Sequence, residues 1–168
     1  DPKDCMFRIY RDVRFSSDKS PYKTTFSAHI CDRPRRGGPP GYYFEVDHTG
    51  TMLAAGGIWL PEPGKLERIR QSIAEHPRRL EKVLRSRGFK QTWGDLQGDK
   101  LTRPPRGYPA DAPLIEYIKL KSFIAWRERD IRTATHDEAL AWLTASFAAA
   151  RPLVEWVRAA LEGEGERE

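Results

Sequence analysis

A chain of 168 residues with 39% hydrophobic, 11% aromatic and 32% charged residues is too apolar for a disordered chain and long enough for one core under a charged surface. The net charge of +5 is uneven: residues 1–107 carry 21 Lys and Arg against 13 Asp and Glu, while residues 108–168 carry 8 against 11, so an anionic partner is expected toward the N-terminal side. There is no run of about 18 apolar residues and no charged leader before an apolar stretch, which argues against a membrane span or signal peptide and predicts a cytoplasmic protein.

Alternation in Phe7, Ile9, Val13 and Phe15, repeated in Tyr22, Phe26, Ala28 and Ile30, predicts two strands around the turn cluster Ser16 to Pro21. With Phe15 opposite Tyr22, Arg11 falls opposite Phe26 on the apolar face. Arg14, Asp12, Tyr10 and Arg8 then stand opposite Lys23, Thr25, Ser27 and His29 on a polar face. The same register sends Cys5 and Cys31 to opposite sides, which disfavours a disulfide.

After the loop "RPRRGGPPG", Tyr42–Asp47 and Thr51–Leu60 read as a second hairpin around Asp47 to Gly50, with Gly56 and Gly57 marking a bulge or a close backbone approach. Leu66, Ile69 and Ile73 recur at helical spacing. A second helix starts at Pro77, buries Leu80, Val83 and Leu84, and ends near Gly88. Residues 94–107 are loop-like, Asp111 and Pro113 open a short helix through Ile118, and Leu120–Trp126 reads as a fifth strand. Thr135 with Glu138 forms a capping-box pattern that starts a long helix, which Pro152 is expected to kink or restart before Leu161. The five tryptophans, Trp59, Trp93, Trp126, Trp142 and Trp156, read as core and core rim. Strands early and helices later predict an α+β fold, a single domain over 1–161 with about five antiparallel strands backed by helices on one face, and a charged tail at 162–168.

The runs "FRIYRDVRFSSDKSPYKTTF", "GYYFEVD", "GGIWLPEPGKLERIRQSI" and "YPADAPLIEYIKLKSF", in that order, resemble the domain of unknown function 2461 family, conserved hypothetical proteins of bacteria and fungi. The resemblance spans about Phe7 to Leu161. It implies no assigned reaction, and it implies an N-terminal helical segment ahead of Phe7 where this chain has "DPKDCM".

The densest chemistry lies in the first hairpin. Arg8, Arg14, Lys19 and Lys23 with Tyr10 and Tyr22 are the residue types that grip a phosphate and stack on a ring, and Arg11 would anchor from beneath beside Asp12. The expected function is a binding module for an anionic, phosphate-bearing small molecule or single-stranded nucleic acid. The competing structural reading is a solvated hairpin in which Asp12 and Asp18 pair with these cations, and Arg11 a buried ion pair with Asp111, Glu116 or Glu62. An enzyme reading uses Asp12 or Glu45 as general base with His29 or His48 nearby, as in a hydrolase or transferase. A scaffold reading leaves the sheet face for another chain. No CxxC, HExxH, Walker or GxSxG pattern occurs, so no metal and no cofactor is expected, and the oligomeric state is left open.

Overall fold

The computed structural model describes residues 2–10, 14, 19, 21–32 and 38–163. Among them a single turn, α1 (Pro2–Cys5), precedes an antiparallel sheet in which β1 (Thr25–Ile30), β2 (Gly41–Asp47), β3 (Thr51–Ile58) and β4 (Phe123–Asp130) lie in the order β1-β2-β3-β4. Between β3 and β4 come α2 (Pro63–Glu75), α3 (Pro77–Arg85), α4 (Arg87–Trp93) and α5 (Ile115–Ile118), and α6 (His136–Glu162) follows β4. The architecture is α+β, as expected, with four strands in place of about five.

The expected first strand is the difference. Met6 bridges Ala28 and Tyr10 bridges Tyr22, so the three residues between the bridges on one side face five on the other and a regular ladder cannot form. Phe7 N–H donates to the Ser27 carbonyl at 3.0 Å and Lys23 N–H to the Ile9 carbonyl at 2.9 Å. Tyr10 therefore stands opposite Tyr22, not Ser27. Alternation assigns faces but not register, which the turn sets. The predicted ladder positions of Arg11, Asp12, Val13 and Phe15 lie outside the described residues.

The sheet's period of two separates its faces cleanly. Met52, Ala54, Gly56 and Ile58 of β3 point to the helices, with Phe123 and Ala125 of β4 beside them. Ile69 and Ile73 of α2, Leu80 of α3, Phe89 of α4 and Leu153 and Val157 of α6 complete this core, all fully buried. Each such side chain is worth about 1.5–3 kcal/mol of transfer free energy.

Gly56 lets α6 lie close to β3: a Cβ there would come within 2.5 Å of the Ala150 Cβ. Gly57, at φ +121°, leaves room for the Phe123 backbone carbonyl. Gly88, expected to end a helix, instead sits inside α4, because Ser86 breaks the chain direction at ψ 135° and Arg87 restarts it.

The chain of β4 begins three residues later than expected and runs on through Asp130. Its charged half is a true strand because its faces divide: Arg127 turns toward the helices, its guanidinium carbon 5.5 Å from the Trp93 ring centroid and 4.7 Å from that of Trp142, while Nε and Nη2 donate to Ser146 Oγ. The outer edge of β4 is covered, since Gln97 N–H donates to the Ile124 carbonyl and Gln97 Oε1 accepts from Trp126 N–H. The capping box at Thr135 and Glu138 starts α6 as expected. The helix does not restart at Pro152: α6 runs continuously past it.

One buried cation needs an explanation of the kind expected for Arg11. Arg70 of α2 is 8% exposed and has no carboxylate bonded to it; Nε donates to the Ile118 carbonyl at 2.8 Å and Nη2 to that of Leu120 at 3.2 Å. It closes the last turn of α5, whose end would otherwise leave carbonyls unsatisfied.

Candidate functional site: an aromatic groove on the open sheet face

The face turned away from the helices is built row by row from the strand register. One row runs His29, Tyr43, Ala55, Trp126; the next toward one end runs Ser27, Glu45, Leu53, Glu128; toward the other, Gly41, Gly57 and Ile124 follow. Gly41, Ala55 and Gly57 leave a low floor. Larger side chains rise around it, and the result is a groove of about 680 Å³ lined among others by Phe7, His29, Tyr43, Leu53, Trp59 and Trp126. That volume is within the range of small-molecule sites.

Its walls are aromatic and partly wet. Trp59 is 64% exposed and Trp126 39%. The expectation that all five tryptophans belong to core or core rim is therefore corrected. Trp93 and Trp156 are buried, whereas Trp126 stands on a strand position whose parity points away from the helices and Trp59 follows directly after the end of β3. Phe7 closes the β1 margin, its ring edge-on to Tyr43 at 6.2 Å.

The polar side chains on these rows are Ser27, His29, Tyr43, Glu45 and Glu128. Tyr43 donates its hydroxyl proton to Glu45 Oε2 at 2.6 Å, and burial, reinforced by that carboxylate, pushes the Tyr43 hydroxyl up to about 12. Tyr43 thus stays protonated and is fixed as a donor. Farther along the same face, Thr25, Asp47, Thr51 and Asp130 make the next row. Asp47 accepts from Thr49 and Thr51 in the hairpin turn. Asp130 is held at about 2 by the Arg132 guanidinium and backbone N–H.

The residues singled out from sequence are distributed differently. Arg8, Arg14, Lys19 and Lys23 are exposed on the segments before and beside β1, not on the sheet face, whose charged rows carry carboxylates. Tyr10 and Tyr22 come together there, ring centroids 5.6 Å apart and 59% and 58% exposed. Lys23 Nζ stands 5.8 Å from the Phe7 ring centroid, at the groove's margin. Arg11 and Asp12 lie outside the described residues. His29 lines the groove; it pairs with Tyr43, and Glu45 is its diagonal neighbour. His48 is exposed in the turn after β2. Cys5 and Cys31 are not joined by a disulfide. Among the described residues no three His, Cys, Asp or Glu side chains gather as a metal site, and no helix is long and apolar enough to cross a membrane.

Sequence reasoning missed Trp59, Trp126 and Tyr43. The signal was present in "FIAWRERD" and "GYYFEVD", where a helix-facing parity for Phe123 and Tyr42 forces Trp126 and Tyr43 outward.

An open antiparallel sheet with helices on one side and an aromatic groove on the other defines an α+β protein with a concave sheet face that carries no helix layer among the described residues. The chain belongs to the conserved hypothetical protein family DUF2461, whose model matches residues 1–156. An uncharacterized protein from Methanothermobacter thermautotrophicus, known from its crystal structure, is 12% identical, with 93% of this chain and 89% of that chain covered at a TM-score of 0.42. No curated protein matches.

Proposed function

We propose that this protein is a binding module that takes a small organic molecule with a flat apolar body into the groove on the open sheet face. The observation that carries this reading is the row Tyr43, Ala55, Trp126: two aromatic side chains flank an alanine on the strand between them, inside a concavity of ligand size. Each stacking contact contributes about 0.5–1.5 kcal/mol beyond area burial. A panel of fused-ring aromatic compounds should raise the thermal midpoint, and Trp126→Leu should weaken binding of every member at least about tenfold, roughly 1.4 kcal/mol. A Trp126→Leu variant that folds and binds the panel as the parent does would sink the assignment.

A second reading keeps the anionic, phosphate-bearing ligand and sets it on the surface beside β1, with Arg8, Arg14, Lys19 and Lys23 as contacts, Tyr10 and Tyr22 as the stacking pair, and Arg11 and Asp12 as further members. The stacked, exposed tyrosine pair favours it. Inorganic phosphate, nucleotides and oligonucleotides should then raise the thermal midpoint, and Arg14→Ala with Lys23→Ala should abolish the shift.

A further inference from the structure

Resting on the groove reading, the geometry points to a more particular ligand: we propose that the groove selects a planar organic cation, an N-alkylated or protonated heteroaromatic ring, whose charge lies toward Glu45 and Glu128. Tyr43 and Trp126 are each register partners of Ala55 on opposite sides. Two strand spacings put their backbones about 10 Å apart. A flat ring needs about 3.5–4 Å on each face, which that gap accommodates over an alanine floor.

The charge follows from the next row. Two residues on from Tyr43 is Glu45, and two residues on from Trp126 is Glu128; both are register partners of Leu53, which lines the groove. Period two puts all four side chains on one face, so on each side of β3 an aromatic wall of the slot is followed along its strand by a carboxylate, which flanks the groove at Leu53. Among the described residues neither glutamate is bonded to a base: Glu45 accepts from the Tyr43 hydroxyl, and Glu128 is exposed. Lys23 stands at the β1 margin of the groove, over Phe7. An aromatic face attracts a cation through its quadrupole and two facing carboxylates add Coulomb attraction, so a positive ring is favoured three ways. An anionic ring of the same shape meets two like charges.

The test uses three probes of one shape: N-methylquinolinium, quinoline (uncharged at neutral pH) and naphthoate, titrated by ligand-observed NMR. N-methylquinolinium should bind about tenfold more tightly than quinoline and naphthoate most weakly. Glu45→Gln with Glu128→Gln, shape-preserving changes checked by circular dichroism, should remove the difference and leave quinoline unchanged, and Trp126→Leu should weaken all three. Naphthoate binding as well as the cation, or a cation preference that survives the double glutamine variant, would overturn the charge assignment and leave the groove standing. If none of the probes binds, the groove reading falls and this inference with it.

Discussion

Burial and a neighbouring carboxylate act together on three tyrosines. Tyr43 donates to Glu45, Tyr108 to Glu67 and Tyr117 to Asp95, and each hydroxyl is pushed from 10.0 to about 12, by burial first and then by the carboxylate. A raised folded-state value favours the protonated form in the fold. Its contribution is complete below pH 10 and is lost as pH rises through about 12. Alkaline absorbance titration should show a late-ionising tyrosine class, and Tyr43→Phe should reduce it by one; an unchanged late class would contradict this account. At Arg70, removal of the guanidinium leaves the carbonyls of Ile118 and Leu120 without their donor. Arg70→Met should cost about 1–3 kcal/mol in urea unfolding despite the apolar gain. A buried arginine of the kind expected at Arg11, which itself lies outside the described residues, occurs at Arg70, where carbonyls take the place of a carboxylate. From sequence, Arg70 reads as one more charge on an amphipathic helix; only the arrival of α5 above it buries its head.

The elements differ in how far local rules decide them. Helices α2 and α3 start at prolines and bury the apolar spacing read from the sequence, and Thr135 with Glu138 caps α6 through bonds spanning three residues. Thr135→Ala should therefore cost about 1 kcal/mol. Glycines separate by what surrounds them. Gly88 has open space around its missing side chain and lies inside α4, so Gly88→Ala should stabilise by about 0.5–1 kcal/mol, whereas Gly56→Ala pushes Ala150 and with it α6, costing about 1–3 kcal/mol. Chemical unfolding of the pair reads both signs. Elements that failed were those needing a distant partner. The segment at Phe7–Tyr10 has strand-like alternation, yet the unequal lengths between its two bridges prevent a ladder. Conversely Arg127 to Asp130 look unlike a strand and are one, because β3 offers partners as far as Thr51 and the Trp93 and Trp142 rings take the Arg127 head.

Among the described residues the four strands pack one face on the helices, and the opposite face, which carries no helix layer, holds the candidate site. Its assembly was partly legible. Alternation in β2 and β3 sorts Tyr43, Glu45, Leu53 and Ala55 onto one side without any coordinates. What local pattern left open was the neighbour relation: which strand flanks β3 on its far side, and in what register. Pairing Ala55 with Trp126 and Leu53 with Glu128 joins residues separated by more than seventy positions. Tryptophan fluorescence offers a check at this scale: Trp59 and Trp126 are exposed and Trp93 and Trp156 buried, so iodide should quench a distinct fraction that Trp126→Phe diminishes.

The chain's own pattern therefore determined the α+β class, the starts of α2, α3 and α6, the second hairpin and the inward or outward sense of its residues, since these depend on propensity and periodicity within a few residues. Only the tertiary structure decided the aromatic groove, the acidic character of the sheet face and the position of the cationic residues beside β1. The reason is physical. Register and strand order are set by contacts between remote segments and by turn geometry, and shifting either by one residue moves every side chain to the other face.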